Sequence, residues 1–172
     1  HLETVADALD RMETLISDIL VLAREGQEVT DMNSIVLDNI VQSSWSNIDQ
    51  QAATLQAETN VRIEADKIRL GQVFENLFRN AIEHGGSDVT ITVGVLDDKA
   101  GFYVENDGEP IPEAKREQIF ETGYTTNKQG TGFGLAIIKR IVDAHGWEIQ
   151  ATDGSAGGAR FEITGVELTA QI

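Results

Sequence analysis

The sequence predicts an α+β fold: a two-layer α/β sandwich with helices on one face of a sheet, preceded by a long amphipathic helix. Three observations carry this. Apolar residues recur at helical spacing over the first 23 positions, alternating stretches later in the chain fall into hairpin pairs, and helical segments stand between those pairs. Helices and antiparallel strands in that order bury their apolar faces most simply by stacking in two layers.

Leu2, Val5, Leu9, Met12, Ile16, Ile19 and Ala23 are spaced 3, 4, 3, 4, 3, 4, which keeps one seam along a helix, and Gly26 ends it. Ala8, Leu15 and Leu22 widen the seam into a stripe broader than a two-stranded coil needs and suited to a bundle. Leaving it in water would cost on the order of 10 kcal/mol as an upper bound. The expected partners are other bundle helices, in a homodimer, rather than the chain's own domain. Residues 1–26 are therefore set apart as part of a helical bundle and 27–172 as the main domain.

Past the linker, residues 34–53 read as mostly helical, with Ile35, Ile40, Val41, Trp45 and Ile48 on one side. Residues 61–65 read as a short strand. Asp66 is a plausible N-cap for a helix to about His84, with Ile68, Leu70, Val73, Phe74, Leu77, Phe78, Ala81 and Ile82 inward and Gly85-Gly86 as its stop. Val89, Ile91, Val93 and Val95 alternate with polar neighbours, and the chain returns over 101–105 after Asp97-Asp98. A second hairpin joins 147–153 to 159–164, and a helix spans about 135–145.

At 172 residues and 41% hydrophobic content, one real core is expected. The absence of cysteine excludes a disulfide framework and thiolate metal sites, and no apolar run or signal-peptide pattern suggests a membrane segment here. The expected location is the cytoplasm, with room for this segment to be the cytoplasmic part of a larger or membrane-bound sensor. With 29 acidic against 13 basic residues the net charge is −16, which excludes nucleic acid as a partner because no basic face exists to displace counterions. An acidic surface of this size suits high salt, where the screening length falls to about 3 Å at 1 M.

Gly130-Thr131-Gly132-Phe133-Gly134 opens the 135–145 helix, whose unpaired N–H groups suit an anion. Such a turn on its own is more often only a tight turn. A Walker loop is excluded because Gly134 is followed by Leu135 and Ala136 rather than Lys-Ser/Thr, and a dinucleotide fingerprint because Leu135 stands where glycine is required. Asn76 and Asn80, four apart, emerge on one helix face, and a neutral carbonyl oxygen suits Mg²⁺. One such pair by itself more often makes surface or cap hydrogen bonds.

With Val104-Glu105-Asn106-Asp107-Gly108-Glu109-Pro110-Ile111-Pro112 and Ile119-Phe120-Glu121-Thr122-Gly123-Tyr124-Thr125-Thr126 set between those motifs, the order over about 66–161 resembles the ATP-binding domain of sensor histidine kinases. That domain lies within the GHKL superfamily of gyrase B, MutL and heat-shock chaperone ATPases, and its N, G1, F and G2 boxes occur here in sequence. The resemblance, extended to haloarchaeal members, implies the Bergerat fold, a mixed, largely antiparallel sheet with helices on one face and a mobile lid, and it implies ATP and Mg²⁺ as cofactors. It makes Asn80 the Mg²⁺ ligand, Asn76 its neighbour, His84 a residue beside adenine or ribose, and the turn Asn106, Asp107 and Gly108 the reader of adenine. Tyr124, Thr125, Thr126 and Lys128 would belong to the lid, while Gly130, Thr131, Gly132, Gly134 and Leu135 would wrap the phosphates.

Three positions depart from the family pattern. Asp-x-Gly-x-Gly becomes Asn106-Asp107-Gly108-Glu109-Pro110, so the adenine-reading group loses charge assistance of about 1 kcal/mol, and Glu83 replaces a commonly basic residue. The first helix resembles the second helix of the dimerisation and phosphoacceptor domain. Neither His1, in the context His-Leu-Glu-Thr-Val, nor His145 fits the acceptor motif. The implied activity is transfer of the ATP γ-phosphate to a histidine on a helix not present here, with a response regulator as partner. The rivals are a nucleotide-sensing regulatory module and a hydrolytic GHKL ATPase. The latter is disfavoured because Asn76 stands where those enzymes place a glutamate and Glu75 points about 100° away.

Overall fold

The protein is seen in a computed structural model that describes residues 2–23, 31–97, 100–121 and 134–170. In chain order these form α1 (Leu2–Ala23), β1 (Met32–Val36), α2 (Leu37–Ser46), β2 (Thr54–Glu58), β3 (Val61–Asp66), α3 (Lys67–Gly85), β4 (Thr90–Val95), β5 (Gly101–Asn106), two single 3₁₀ turns (Glu113–Lys115 and Gln118–Phe120), α4 (Gly134–Ala144), β6 (Glu148–Asp153), β7 (Ala159–Thr164) and β8 (Leu168–Ala170).

Five strands form the main sheet in the order β2-β4-β5-β7-β6, with β2 parallel to β4 and every other pair antiparallel. Alternation sets its two faces. Ile91, Val93, Phe102, Val104, Phe161 and Ile163 are buried on one, under α2, α3 and α4, whereas Tyr103, Arg160, Glu162 and Gln150 occupy the other. The aromatic rings of Phe74 and Phe78 on α3 join Phe102 and Trp45 at centroid distances of 5.3 to 5.9 Å, which fixes α3 over the sheet. A second sheet, β1-β3-β8, is antiparallel throughout. The α+β sandwich, its two hairpins and its main helices match the expectation.

Three local expectations are corrected. Residues 34–36 are strand, because the β-branched pair Ile35-Val36 lies against Ile63 and Arg62 of β3. The helix that follows ends at Ser46, and Gln51, with φ of 49°, turns the chain into β2, whose Leu55 and Ala57 sit half-covered beside β4. Ile68 is 76% exposed, since two residues along a helix place it about 200° from the buried Leu70. Asp66 does cap α3: its carboxylate accepts from Arg69 N–H at 3.3 Å.

His145 fastens the end of α4 to the start of α3. Its Nδ1 lies 2.8 Å from the Ile141 carbonyl and Nε2 accepts the Asp66 N–H at 3.1 Å, so the ring is the neutral Nδ1–H tautomer, stacked 4.1 Å from Trp147. Burial pushes its pKa below 6.5, more than the carbonyl and Asp66 raise it.

On α1, Ala8 and Leu15 are half-buried, but Val5, Leu9, Met12, Ile16 and Ile19 are 47–56% exposed. The helix touches α4 and leaves that seam open.

Candidate functional site

A cavity of about 350 Å³ opens where the end of α3 meets the end of β5. Asn80, His84 and Gly85 come from α3, Asn106 from β5, Glu109 to Pro112 with Lys115 and Ile119 from the segment that follows, Leu135 from the first turn of α4 and Ala159 from β7. That volume is in the range of small-ligand sites.

Glycines let the backbones meet here. A Cβ on Gly108 would overlap the Gly85 backbone, and one on Gly158 would overlap the Asn106 carbonyl. The close approach of Gly108 is thus to the protein's own helix end rather than to a phosphate. Asn106, 8% exposed, accepts the Gly108 N–H on Oδ1 at 2.9 Å. Asp107 faces elsewhere: Thr90 N–H donates to its Oδ1 at 2.8 Å and its own N–H donates to the Thr90 carbonyl, which ties the turn to β4 and keeps Asp107 out of the cavity lining.

Two charged groups hold the surrounding walls. The carboxylate of Glu105, 8% exposed, accepts from Ser155 N–H at 2.9 Å and Ser155 Oγ at 2.8 Å, with Arg160 at 3.6 Å stacked over Tyr103, and so anchors the β6–β7 turn beside Asn106. Arg116 donates to the Ile111 carbonyl at 3.2 Å and to Asp153 at 2.7 Å, which pins the Pro110–Pro112 wall against β6.

Of the residues singled out in the sequence, Asn80, His84, Asn106 and Leu135 meet in the cavity. Asn76 does not line it; its Oδ1 accepts from Arg79 at 3.2 Å. Gly134 begins α4 with open space where a Cβ would stand. Tyr124, Thr125, Thr126, Lys128, Gly130, Thr131 and Gly132 lie outside the described residues. Sequence reasoning missed Gly85, the segment Glu109 to Pro112, Lys115, Ile119 and Ala159 as lining residues. Ile111 and Ile119, apolar among polar neighbours in an irregular segment, were the available signal; for Lys115 there was none.

Chemically, Ile111, Ile119, Leu135 and Ala159 supply the apolar part of the lining, and Asn106 and Asn80 supply amides. The Asn80 amide makes no hydrogen bond among the described residues, and it is not buried. No group of three or more His, Cys, Asp or Glu side chains could hold a metal among the described residues. The side-chain carbonyl of Asn80 is an oxygen donor of the kind hard cations accept.

Residues 65–169 match the family described as histidine kinase-, DNA gyrase B- and HSP90-like ATPase. The sensor histidine kinase ZraS of Salmonella typhi is 32% identical over 171 residues, covering 94% of this chain and 36% of that protein. Among solved structures, histidine kinase ThkA in complex with the response regulator TrrA is 27% identical with a TM-score of 0.71, over 98% of this chain and 50% of that one. Full-length ShkA in complex with AMPPNP is 25% identical with a TM-score of 0.73, over 94% of this chain and 37% of that one. The chain spans little more than a third of the ZraS proteins it matches, which come from bacteria.

Proposed function

The chain belongs to the histidine kinase-, DNA gyrase B- and HSP90-like ATPase family as a catalytic ATP-binding domain of sensor histidine kinases, and we propose that it holds Mg²⁺-ATP in the cavity and presents the γ-phosphate to a histidine on a helix outside these 172 residues. The observation that carries this is the opening of two amides, Asn106 and Asn80, into one partly apolar cavity at the end of α3. The base lies between Ile111, Ile119 and Leu135 and meets Asn106; the ribose passes His84; the phosphates run toward Asn80 and the start of α4, whose first-turn N–H groups have no partner within the helix.

Mg²⁺, when bound, neutralises charge on the phosphates. Asn80 Oδ1 would hold it, with Asn76 on the same helix face as its neighbour. Gly134, at the start of α4, is assigned to the phosphates; the phosphate and lid roles that the family resemblance implies for Gly130, Thr131, Gly132, Tyr124, Thr125, Thr126 and Lys128 fall outside the described residues. The protein's contribution is orientation and exclusion of water, with no general base needed because neutral imidazole is already nucleophilic. Glu75 is in no position to activate water: it accepts from Asn47 at 3.0 Å and lies 3.6 Å from Arg79, on the α2 side of the helix, which disfavours the hydrolytic reading.

Asn80→Ala is expected to lower nucleotide affinity by tenfold or more and to abolish its dependence on Mg²⁺ in calorimetric titration. Unchanged affinity and Mg²⁺ dependence would overturn the assignment. With radiolabelled ATP the chain should acquire no stable label, yet label an added protein carrying the acceptor helix; failure of that transfer despite ATP binding would favour the regulatory-module reading.

Residues 1–26 act as the second helix of a dimerising bundle and 27–172 as the catalytic domain, working in the cytoplasm with a response regulator, as the ThkA–TrrA complex suggests by analogy. No helix among the described residues is long and apolar enough to cross a membrane. The net charge of −16 supports salt adaptation of the kind found in haloarchaeal members. Unfolding midpoints should rise from dilute buffer to molar KCl, and full stability in dilute buffer would sink that reading.

A further inference from the structure

We propose that the cavity accepts 6-oxopurine nucleoside triphosphates, such as those of hypoxanthine and guanine, at least as well as ATP, an inference that rests on the nucleotide-binding reading above. The argument starts from the orientation of one amide. Asn106 Oδ1 accepts the Gly108 N–H at 2.9 Å with one of its lone pairs, and the space beside it is narrow: a Cβ added at Gly158 or Gly85 would stand 2.8 or 3.4 Å from it. Turning the amide over would set its NH₂ against the Gly108 N–H, donor against donor, and forfeit a partly buried hydrogen bond.

Nδ2 is therefore the open end. It makes no hydrogen bond among the described residues, and no side-chain nitrogen or oxygen among them is both buried and unpaired, so these two N–H donors are accessible at a residue that lines the cavity. The neighbouring carboxylate that could have supplied an acceptor, Asp107, is held by Thr90 and lies outside the lining. Glu109, the carboxylate that does line it, is exposed.

A half-enclosed donor selects a ligand edge that accepts. The C6 carbonyl of hypoxanthine or guanine accepts, whereas adenine offers an amino donor at that position and must turn a ring nitrogen toward Asn106 instead. A site floored by an ionised carboxylate would have the opposite preference.

The test is calorimetric titration of the whole chain, with Mg²⁺, against ATP, ITP and GTP. ITP is expected to bind as tightly as ATP or more tightly, and Asn106→Asp is expected to shift the ITP-to-ATP preference at least tenfold toward ATP. Asn106→Ser, which removes both amide groups, should bring ATP and ITP to similar affinities and guards against a misfolded aspartate variant, with circular dichroism confirming the fold of each. Tight ITP with weak GTP also supports the proposal and adds exclusion of the 2-amino group. A tenfold or greater preference of the unaltered chain for ATP over both others overturns the proposal while leaving the kinase reading intact; binding of none of the three overturns both.

Discussion

On α3, Leu70, Val73, Phe74, Leu77 and Phe78 are at most 2% exposed, whereas on α1 the equally periodic Val5, Leu9, Met12 and Ile16 stand 54–56% exposed. Both helices carry an apolar stripe, and the hydrophobic effect asks the same of each. The difference is where the answer lies. The stripe of α3 meets Phe102 of the sheet, Trp45 of α2 and the flank of α4 within the same chain. That of α1, among the described residues, leaves this seam exposed although the helix touches α4. A periodic stripe thus reports a demand for burial without saying which molecule meets it, and the two helices provide a control for each other.

The sharpest contrast comes from truncating one residue on each stripe. Phe74→Ala should destabilise the chain by about 3–5 kcal/mol in urea denaturation, because a fully buried ring leaves a cavity that neighbours fill incompletely; a loss under about 1 kcal/mol would break the comparison. Next, Gly108→Ala should cost roughly 1–3 kcal/mol by forcing the β5 end away from Gly85, and should weaken nucleotide binding as the cavity floor shifts.

His145 sharpens the buried side through pH. Its folded pKa lies below 6.5, so as pH falls the unfolded chain takes up the proton first; stability is fully present above about pH 6.5 and is lost as pH falls through the folded value. Urea midpoints should drop between about pH 7.5 and 5, and His145→Leu should remove part of that slope. The smallest effect is expected on α1. Ile16→Ala should change the unfolding free energy of dilute monomer by less than about 0.5 kcal/mol while weakening self-association in sedimentation. Equal effects of Ile16→Ala and Phe74→Ala would mean that α1 packs on its own domain.

Elements with strong periodicity were legible in the sequence: α1, α3, α4, the β4–β5 and β6–β7 hairpins, and the Asp66 cap. What escaped was non-local. Residues 34–36 and 54–58 are strands because β3 and β4 lie beside them, and neither short stretch carries a period that separates strand from helix. Ile68 was misplaced by counting apolar residues rather than angles. At the site, Asn80, His84 and Asn106 were found because motif order locates them, while Lys115 and Ala159 enter the lining only through the fold. Asp107 looked like a ligand contact until its bond to Thr90 gave it a structural task.

The pairing of β8 with β3 joins Ile63 to Leu168 and Val61 to Ala170, partners roughly a hundred residues apart. During synthesis the small sheet stays one strand short until translation has passed residue 170, well after α3 and its capping aspartate have emerged. The start of α3 is then seated late, by the same closing strand that covers β3. Emergence of β8, rather than of the nucleotide motifs, sets the moment at which this domain can be complete.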